Sequence, residues 1–295
     1  MKKKCYITAS VHGMCGGVFS ALRILDEATA GNQEVYVFRE LVHNRAVTAK
    51  LTAAGVHCVN DIDHIPAGSA IVIGAHGVSA GIEAVLRAKA SSCRDATCPL
   101  VKKLHHIAAS LSPDEQLVIC GKSGHPEVAG IAGNSGTEAV FIVPSVNEVK
   151  ALPELTAPVF ISQTTVDHQE VTTVLNALKK RFPHIKECSS VCDASRKRQN
   201  AVIQLASKCD VILVIGSPHS SNAQRLREIA GQHGAKAFLI DNADEIPDAA
   251  VNTADVIGIT SGASTPEYLF DAVVEVLESM GFTCGDDAVS GNLDT

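Results

Sequence analysis

Three cysteines, Cys15, Cys98 and Cys192, each open a helix-like stretch: CGGVFSALRILDEA, CPLVKKLHHIAAS and CDASRKRQNAVIQLAS. Each stretch runs into an apolar strand-like segment, EVYVFREL, EQLVICG or DVILVIG. A polar donor then follows at nearly the same distance: residue 15 leads to His43, residue 98 to His125 and residue 192 to Ser220. A repeat of this kind predicts three thiols and a ring of donors converging on one centre. Thiolates gathered from distant positions suit a tetrahedral metal with an open position, or an iron–sulfur cluster. Zinc commonly uses local C-x2-C pairs, and none of the three cysteines has one. The C-x3-C-x2-C spacing of radical enzymes is also absent. On the residues alone, a cluster, zinc and buried free thiols all stay open.

The donors form a second constellation: His43, His76, His125, Thr164, Ser220, Ser221, Asn222 and Ser264. Serine, threonine and asparagine give neutral hydrogen bonds, and histidine can carry charge near pH 7. Such a set can surround a diphosphate, particularly where helix N-termini follow the loops. His57, His64, His105, His106, His168, His184 and His233 read as ordinary surface or core residues. Glu127, in GHPEV, is the one carboxylate embedded among these motifs. It is either a first-turn helix residue favoured by the dipole or a general acid, with Thr164 relaying or orienting its proton.

The elements that must hold these groups repeat as well. After the first donor, each third of the chain gives a polar helix, a second strand, a turn rich in Asp, Asn or Pro, and a third strand. The second strands are VHCVND, EAVFIV and AKAFLID; the third are AIVIGAHGVS, APVFISQTT and DVIGITSGAST. Short Val- and Ile-rich runs between helices read as buried parallel strands with right-handed crossovers. Ligands of open α/β sheets bind outside the carboxyl ends of the strands, where all the donor motifs fall. The expected architecture is α/β, with three pseudo-threefold-related small α/β domains in a trefoil-like arrangement. Residues 15–97, 98–191 and 192–282 form the three domains, residues 1–14 complete the last one, and 283–295 form a flexible polar tail.

The 295 residues are 46% hydrophobic and 19% charged, which disfavours disorder. Aromatics make up 4%, Trp is absent and the net charge is −7, so neither a base-stacking platform nor a general nucleic-acid surface is expected. No run reaches the length of a membrane span, and the start MKKKCYITASVHG lacks the apolar core of a signal peptide. A soluble cytoplasmic protein with mostly reduced thiols follows. Cys5, Cys58, Cys120 and Cys209, in or beside apolar runs, are expected to be packed thiols.

LVHNR, AHGVS, DATCPLV, GHPEV, SQTT, the GS/SSN/RL cluster and SGAS together resemble, in this order, the motifs of the 4-hydroxy-3-methylbut-2-enyl diphosphate reductase family, over roughly residues 5–282. The resemblance implies a [4Fe–4S] cluster at the centre of the trefoil, held by Cys15, Cys98 and Cys192. It implies diphosphate binding by His43, His76, His125, Ser220, Ser221, Asn222 and Ser264, with Glu127 as the proton-delivering acid and Thr164 and His125 beside it. The implied reaction is reductive dehydroxylation to isopentenyl and dimethylallyl diphosphates, the last step of the non-mevalonate isoprenoid route, with ferredoxin or flavodoxin as electron donor. Two neighbourhoods depart from the family: SVHGMCGGV stands where a PRGFCAGV-like run is usual, and CDASRKRQ where C.ATTNRQ is usual. These departures keep two alternatives in view. One is a paralogue acting on a different substrate, including a redox-neutral [4Fe–4S] hydro-lyase; the other is a cluster-based sensor.

Overall fold

A computed structural model describes residues 4–31, 34–188 and 192–285. The chain begins with β1 (Cys5–Thr8), and α1 (Gly16–Thr29) starts directly after Cys15. The first repeat continues through β2 (Val35–Phe38), α2 (Arg45–Ala53), β3 (Val56–Val59), β4 (Ala70–Ile73), α3 (Ala80–Lys89) and β5 (Ser92–Asp95). The second contains α4 (Pro99–Ala109), β6 (Gln116–Cys120), α5 (Pro126–Gly133), β7 (Val140–Val143), α6 (Val146–Val149), β8 (Pro158–Ser162), α7 (His168–Arg181) and β9 (Lys186–Glu187). The third contains α8 (Asp193–Ala206), β10 (Val211–Ile215), α9 (Ser221–Gln232), β11 (Lys236–Ile240), α10 (Asp248–Thr253), β12 (Val256–Ser261), α11 (Glu267–Ser279) and β13 (Thr283–Cys284).

These strands build three parallel sheets with one shared plan: β3-β2-β4-β5, β7-β6-β8-β9 and β11-β10-β12-β1-β13. In each, the first strand of the repeat lies between the second and the third, and a short fourth strand flanks the third. In the last sheet the fourth place is taken by β1, paired in parallel with β12 from Cys5↔Val256 to Thr8↔Ile259. The N-terminal strand therefore lies in the same sheet as the C-terminal strands. The mixed α/β class with three small parallel sheets is the one expected from the sequence. Thr283 and Cys284, assigned above to the polar tail, instead pair with Cys5 and Tyr6 as an edge strand. The rest of that segment, residues 286–295, lies outside the described residues.

Parallel sheets are covered on both faces, which is why their central strands read as continuous apolar runs. Every residue of β2, β4, β8 and β10 is buried. Apolar clusters flank both faces of each sheet: Leu25 and Val72 on one side of the first and Phe38 and Leu86 on the other. Phe160 and Leu178 oppose Leu117 and Ile161 in the second, and Leu213 and Val273 oppose Val214 and Leu226 in the third. Cys120 and Cys209 are buried as expected, whereas Cys5 and Cys58 are only half-buried.

By packing, the chain divides into two compact units. One comprises Met1–Cys15, His43–Val47 and Asp193–Thr295 and carries the five-stranded sheet. The other comprises Gly16–Val42 and Thr48–Cys192 and carries the two four-stranded sheets. Among the described residues, no helix is long and apolar enough to cross a membrane.

Candidate active site

In the unit with two sheets, the loop after β6 delivers His125 as the N-cap of α5, with Pro126 in the first turn. The His125 ring accepts the Glu127 amide proton at Nδ1, 3.1 Å away. Nδ1 is thereby an acceptor, so a neutral His125 carries its proton on Nε2. His76, from the loop after β4, meets His125 edge to face with ring centroids 5.5 Å apart. Gly77, next to His76, adopts φ +69°, and a Cβ there would lie 2.6 Å from His105 Cε1 and 2.8 Å from Thr97 Cγ2. Left-handed backbone and close approach together demand glycine. Gly77→Ala is expected to destabilise the protein by about 2 kcal/mol, read as a drop in Tm of several degrees.

Glu127, in the first turn of α5, is only 1% exposed. Its carboxyl group is clasped by one residue from the end of β8: the Thr164 amide donates to Oε1 at 2.7 Å and the Thr164 hydroxyl to Oε2 at 2.9 Å. Burial pushes the Glu127 carboxyl up to about 7, against the opposing pull of the two Thr164 hydrogen bonds. A carboxyl poised there exchanges a proton at neutral pH, which suits a general acid. Gln163 closes the same corner by accepting the Lys122 amide proton at Oε1, 3.0 Å away. This supporting residue sits inside the SQTT motif, where sequence reading singles out only Thr164.

In the other unit, the loop after β10 ends in Ser220, which caps α9 by accepting the Ala223 amide proton, and Ser221 and Asn222 form the first turn. Unpaired helix N–H groups and the dipole make such a turn a place for anions. Asn222 is 7% exposed, and its Nδ2 has no hydrogen-bond partner among the described residues. A buried amide without a partner is costly unless a ligand completes it. The loop after β12 packs beside this turn, since a Cβ on Gly262 would stand 3.2 Å from Ala223 Cβ. From that loop the Ser264 hydroxyl donates to the His43 carbonyl at 3.0 Å. Asn44 follows His43 and accepts the Val47 amide proton, starting α2. Arg45 pairs with Asp241 at 2.9 Å on the exposed side.

Each cysteine of the trio follows the fourth strand of its sheet and immediately precedes a helix: Cys15 before α1, Cys98 before α4 and Cys192 before α8. All three are half-buried. The Cys15 amide donates to the Ala263 carbonyl at 2.9 Å, and the Cys98 amide to the Ala75 carbonyl at 3.0 Å. The turn presenting Cys98 is fixed by Asp95, which accepts the Thr97 amide and hydroxyl protons and pairs with Lys102 at 2.7 Å. Asp193, the departure beside Cys192, is answered by Arg196 at 2.5 Å and Lys197 at 3.2 Å. Its charge is thus balanced within its own helix turn.

Parallel α/β layers with thiols, imidazoles, hydroxyls and one buried acid at the strand ends define an enzyme of the repeated open-sheet type. The chain belongs to the LytB protein family, whose pattern matches residues 7–278. A relative described as 4-hydroxy-3-methylbut-2-enyl diphosphate reductase, from Dechloromonas aromatica (strain RCB), is 39% identical over 281 residues, covering 93% of this chain and 91% of its own. The solved structure of the E-1-hydroxy-2-methyl-but-2-enyl-4-diphosphate reductase from Plasmodium falciparum superimposes with a TM-score of 0.91 at 29% identity, covering 96% of this chain and 91% of its own. A second solved structure, of (E)-4-hydroxy-3-methyl-but-2-enyl diphosphate reductase, the terminal enzyme of the non-mevalonate pathway, gives 0.66 at 26% identity, with coverages of 94% and 99%.

Proposed function

We propose that this chain reduces 4-hydroxy-3-methylbut-2-enyl diphosphate to isopentenyl and dimethylallyl diphosphates. The observation that carries this reading is the buried Glu127 carboxyl, clasped by Thr164 and held near neutrality, in a member of the LytB family. The donor set fits an iron–sulfur group: three half-buried cysteines at equivalent places of the repeat, each at a helix start where negative ligand charge is favoured. Cys15, Cys98 and Cys192 would hold a [4Fe–4S] cluster, leaving one iron without a protein ligand. When bound, the cluster supplies electrons and a Lewis acid for the substrate oxygen, fed by ferredoxin or flavodoxin.

The protein's own residues supply binding and protons. The diphosphate takes the first-turn amides of α9, the Ser220 and Ser221 hydroxyls, Asn222 Nδ2, Ser264, and the imidazoles of His43, His76 and His125. Removing the hydroxyl consumes two electrons and two protons: one proton leaves with the hydroxyl as water and the other ends on carbon. Glu127 gives its proton to the departing hydroxyl. The Thr164 hydroxyl donates to Oε2 when the carboxyl is ionised and accepts from it when protonated, so it can hold the acid in place through both states. Oxygen-sensitive cluster chemistry of this kind fits a cytoplasmic setting.

Asn222→Ala is expected to raise KM for the diphosphate about tenfold or more with little change in kcat, because it removes a donor to a charged group. Steady-state kinetics on the anaerobic enzyme check this. For the reaction itself, anaerobic protein is mixed with substrate, with and without dithionite. Both isomeric products are expected only with the reductant. Turnover without reductant would establish a hydro-lyase instead, and no turnover by fully loaded protein would rule out this substrate.

A further inference from the structure

Arg198, on α8 after Cys192, is 3% exposed. Its Nη1 donates to the Ala194 carbonyl of its own helix at 3.0 Å, and its Nη2 crosses to the Gly13 carbonyl at 2.7 Å. Gly13 lies two residues before Cys15, in the loop after β1. The loop is held at several further points: the Gly13 amide donates to Ser261 Oγ at 2.7 Å, and the Cys15 amide to the Ala263 carbonyl at 2.9 Å. Gly13 itself has φ +73°, and a Cβ there would lie 2.5 Å from Glu267 Oε2. His12 stacks on Phe270 with ring centroids 4.0 Å apart. Both backbone groups of Gly13 are thus taken by side chains, and one of these is a buried permanent cation.

A neutral amide would satisfy a carbonyl at lower desolvation cost than a guanidinium, which never loses its charge. Keeping arginine there adds two things a neutral donor lacks. The rigid fork ties α8 to the Gly13 carbonyl, and a fixed positive charge sits against the loop that carries a thiolate ligand. We propose that Arg198 is a positioning residue for Cys15: its guanidinium fixes the ligand loop through Gly13 and favours the added negative charge of the reduced cluster. This rests on the cluster reading above. Groups surrounding metal ligands commonly change metal affinity by about 10–100-fold when removed.

The test compares wild-type protein with Arg198→Met, which keeps the length of the stem, and Arg198→Lys, which keeps the charge without the fork. Iron content, the rate of iron loss in air and the midpoint potential by EPR-monitored titration are measured, with circular dichroism as the check on folding. Arg198→Met is expected to lose iron about tenfold faster and to be harder to reduce, with a more negative midpoint. Arg198→Lys is expected to lose iron faster too, but to restore most of the potential. Unchanged potential and iron retention in Arg198→Met would overturn the proposal, as would equal potential shifts in the two variants. If Arg198→Met does not fold, Arg198→Lys decides: wild-type iron retention in that variant overturns the role of the fork. A wild-type protein that binds no iron would instead defeat the cluster reading on which the proposal stands.

Discussion

Glu127→Gln is expected to lower kcat by about 10²–10³-fold while leaving the fold intact. Glutamine has the shape of the acid and still offers an oxygen to the Thr164 amide, which now binds Oε1 at 2.7 Å. The Thr164 hydroxyl, bound at 2.9 Å, can rotate to accept from the new amide. What is lost is the transferable proton, so the effect falls on kcat rather than on KM. The pH dependence makes the same point. With the carboxyl group raised to about 7, the acid form that donates is depleted as pH rises past neutrality, and kcat of the wild type should fall there. Stability follows the same sign. A folded-state value above the usual carboxylate value means that the folded protein binds more protons, so this group's contribution is complete below the unfolded value and is lost as pH rises through about 7. Glu127→Gln should flatten that decline in a denaturant series between acidic and neutral pH. A variant with wild-type kcat would remove Glu127 from the chemistry.

Cys98→Ser is expected to abolish turnover and bound iron together, with stability changed by about 0.5 kcal/mol or less. Serine keeps the backbone contact, since the Cys98 amide bonds the Ala75 carbonyl and the preceding turn is held by Asp95 and Thr97. The half-buried thiol carries little packing, so its loss is felt as a lost ligand. Cys120→Ala is the matched control. Cys120 is fully buried in β6, and its truncation should cost about 1 kcal/mol while leaving iron content unchanged. Iron per chain, the visible spectrum and chemical denaturation of the two variants separate ligand from core.

The strands at the centre of each sheet were legible because both faces are covered. DVILVIG and AIVIG are unbroken apolar runs, and they fold as β10 and β4. The fourth strands β5 and β9 were not. In β5 the sequence SCRD alternates exposed with half-buried residues, and both residues of β9 are exposed, so neither carries an apolar run. They are fixed by pairing with β4 and β8 rather than by their own composition. Helices α3, α7 and α11 follow the third strands and close each repeat, beyond the point where a pattern anchored on cysteines and donors stops.

Within the site, Glu127 stood out as the lone acid among donor motifs, but its clasp by Thr164 joins positions 37 apart and leaves no trace in local spacing. Arg198 was hidden in the run ASRKRQ, where three basic residues stand in succession. Helical phase separates it from its neighbours: Ser195, Arg198, Gln199 and Val202 recur on the buried side of α8, whereas Arg196 and Lys197 are exposed. That periodicity was the available signal.

Mössbauer spectroscopy of anaerobically prepared, iron-57-labelled protein, with and without 4-hydroxy-3-methylbut-2-enyl diphosphate, bears most directly on the site assigned to Cys15, Cys98 and Cys192. The expected result is a four-iron cluster in which the signal of one iron alone shifts when substrate is added. A protein without a cluster, or a four-iron spectrum unmoved by saturating substrate, would contradict it.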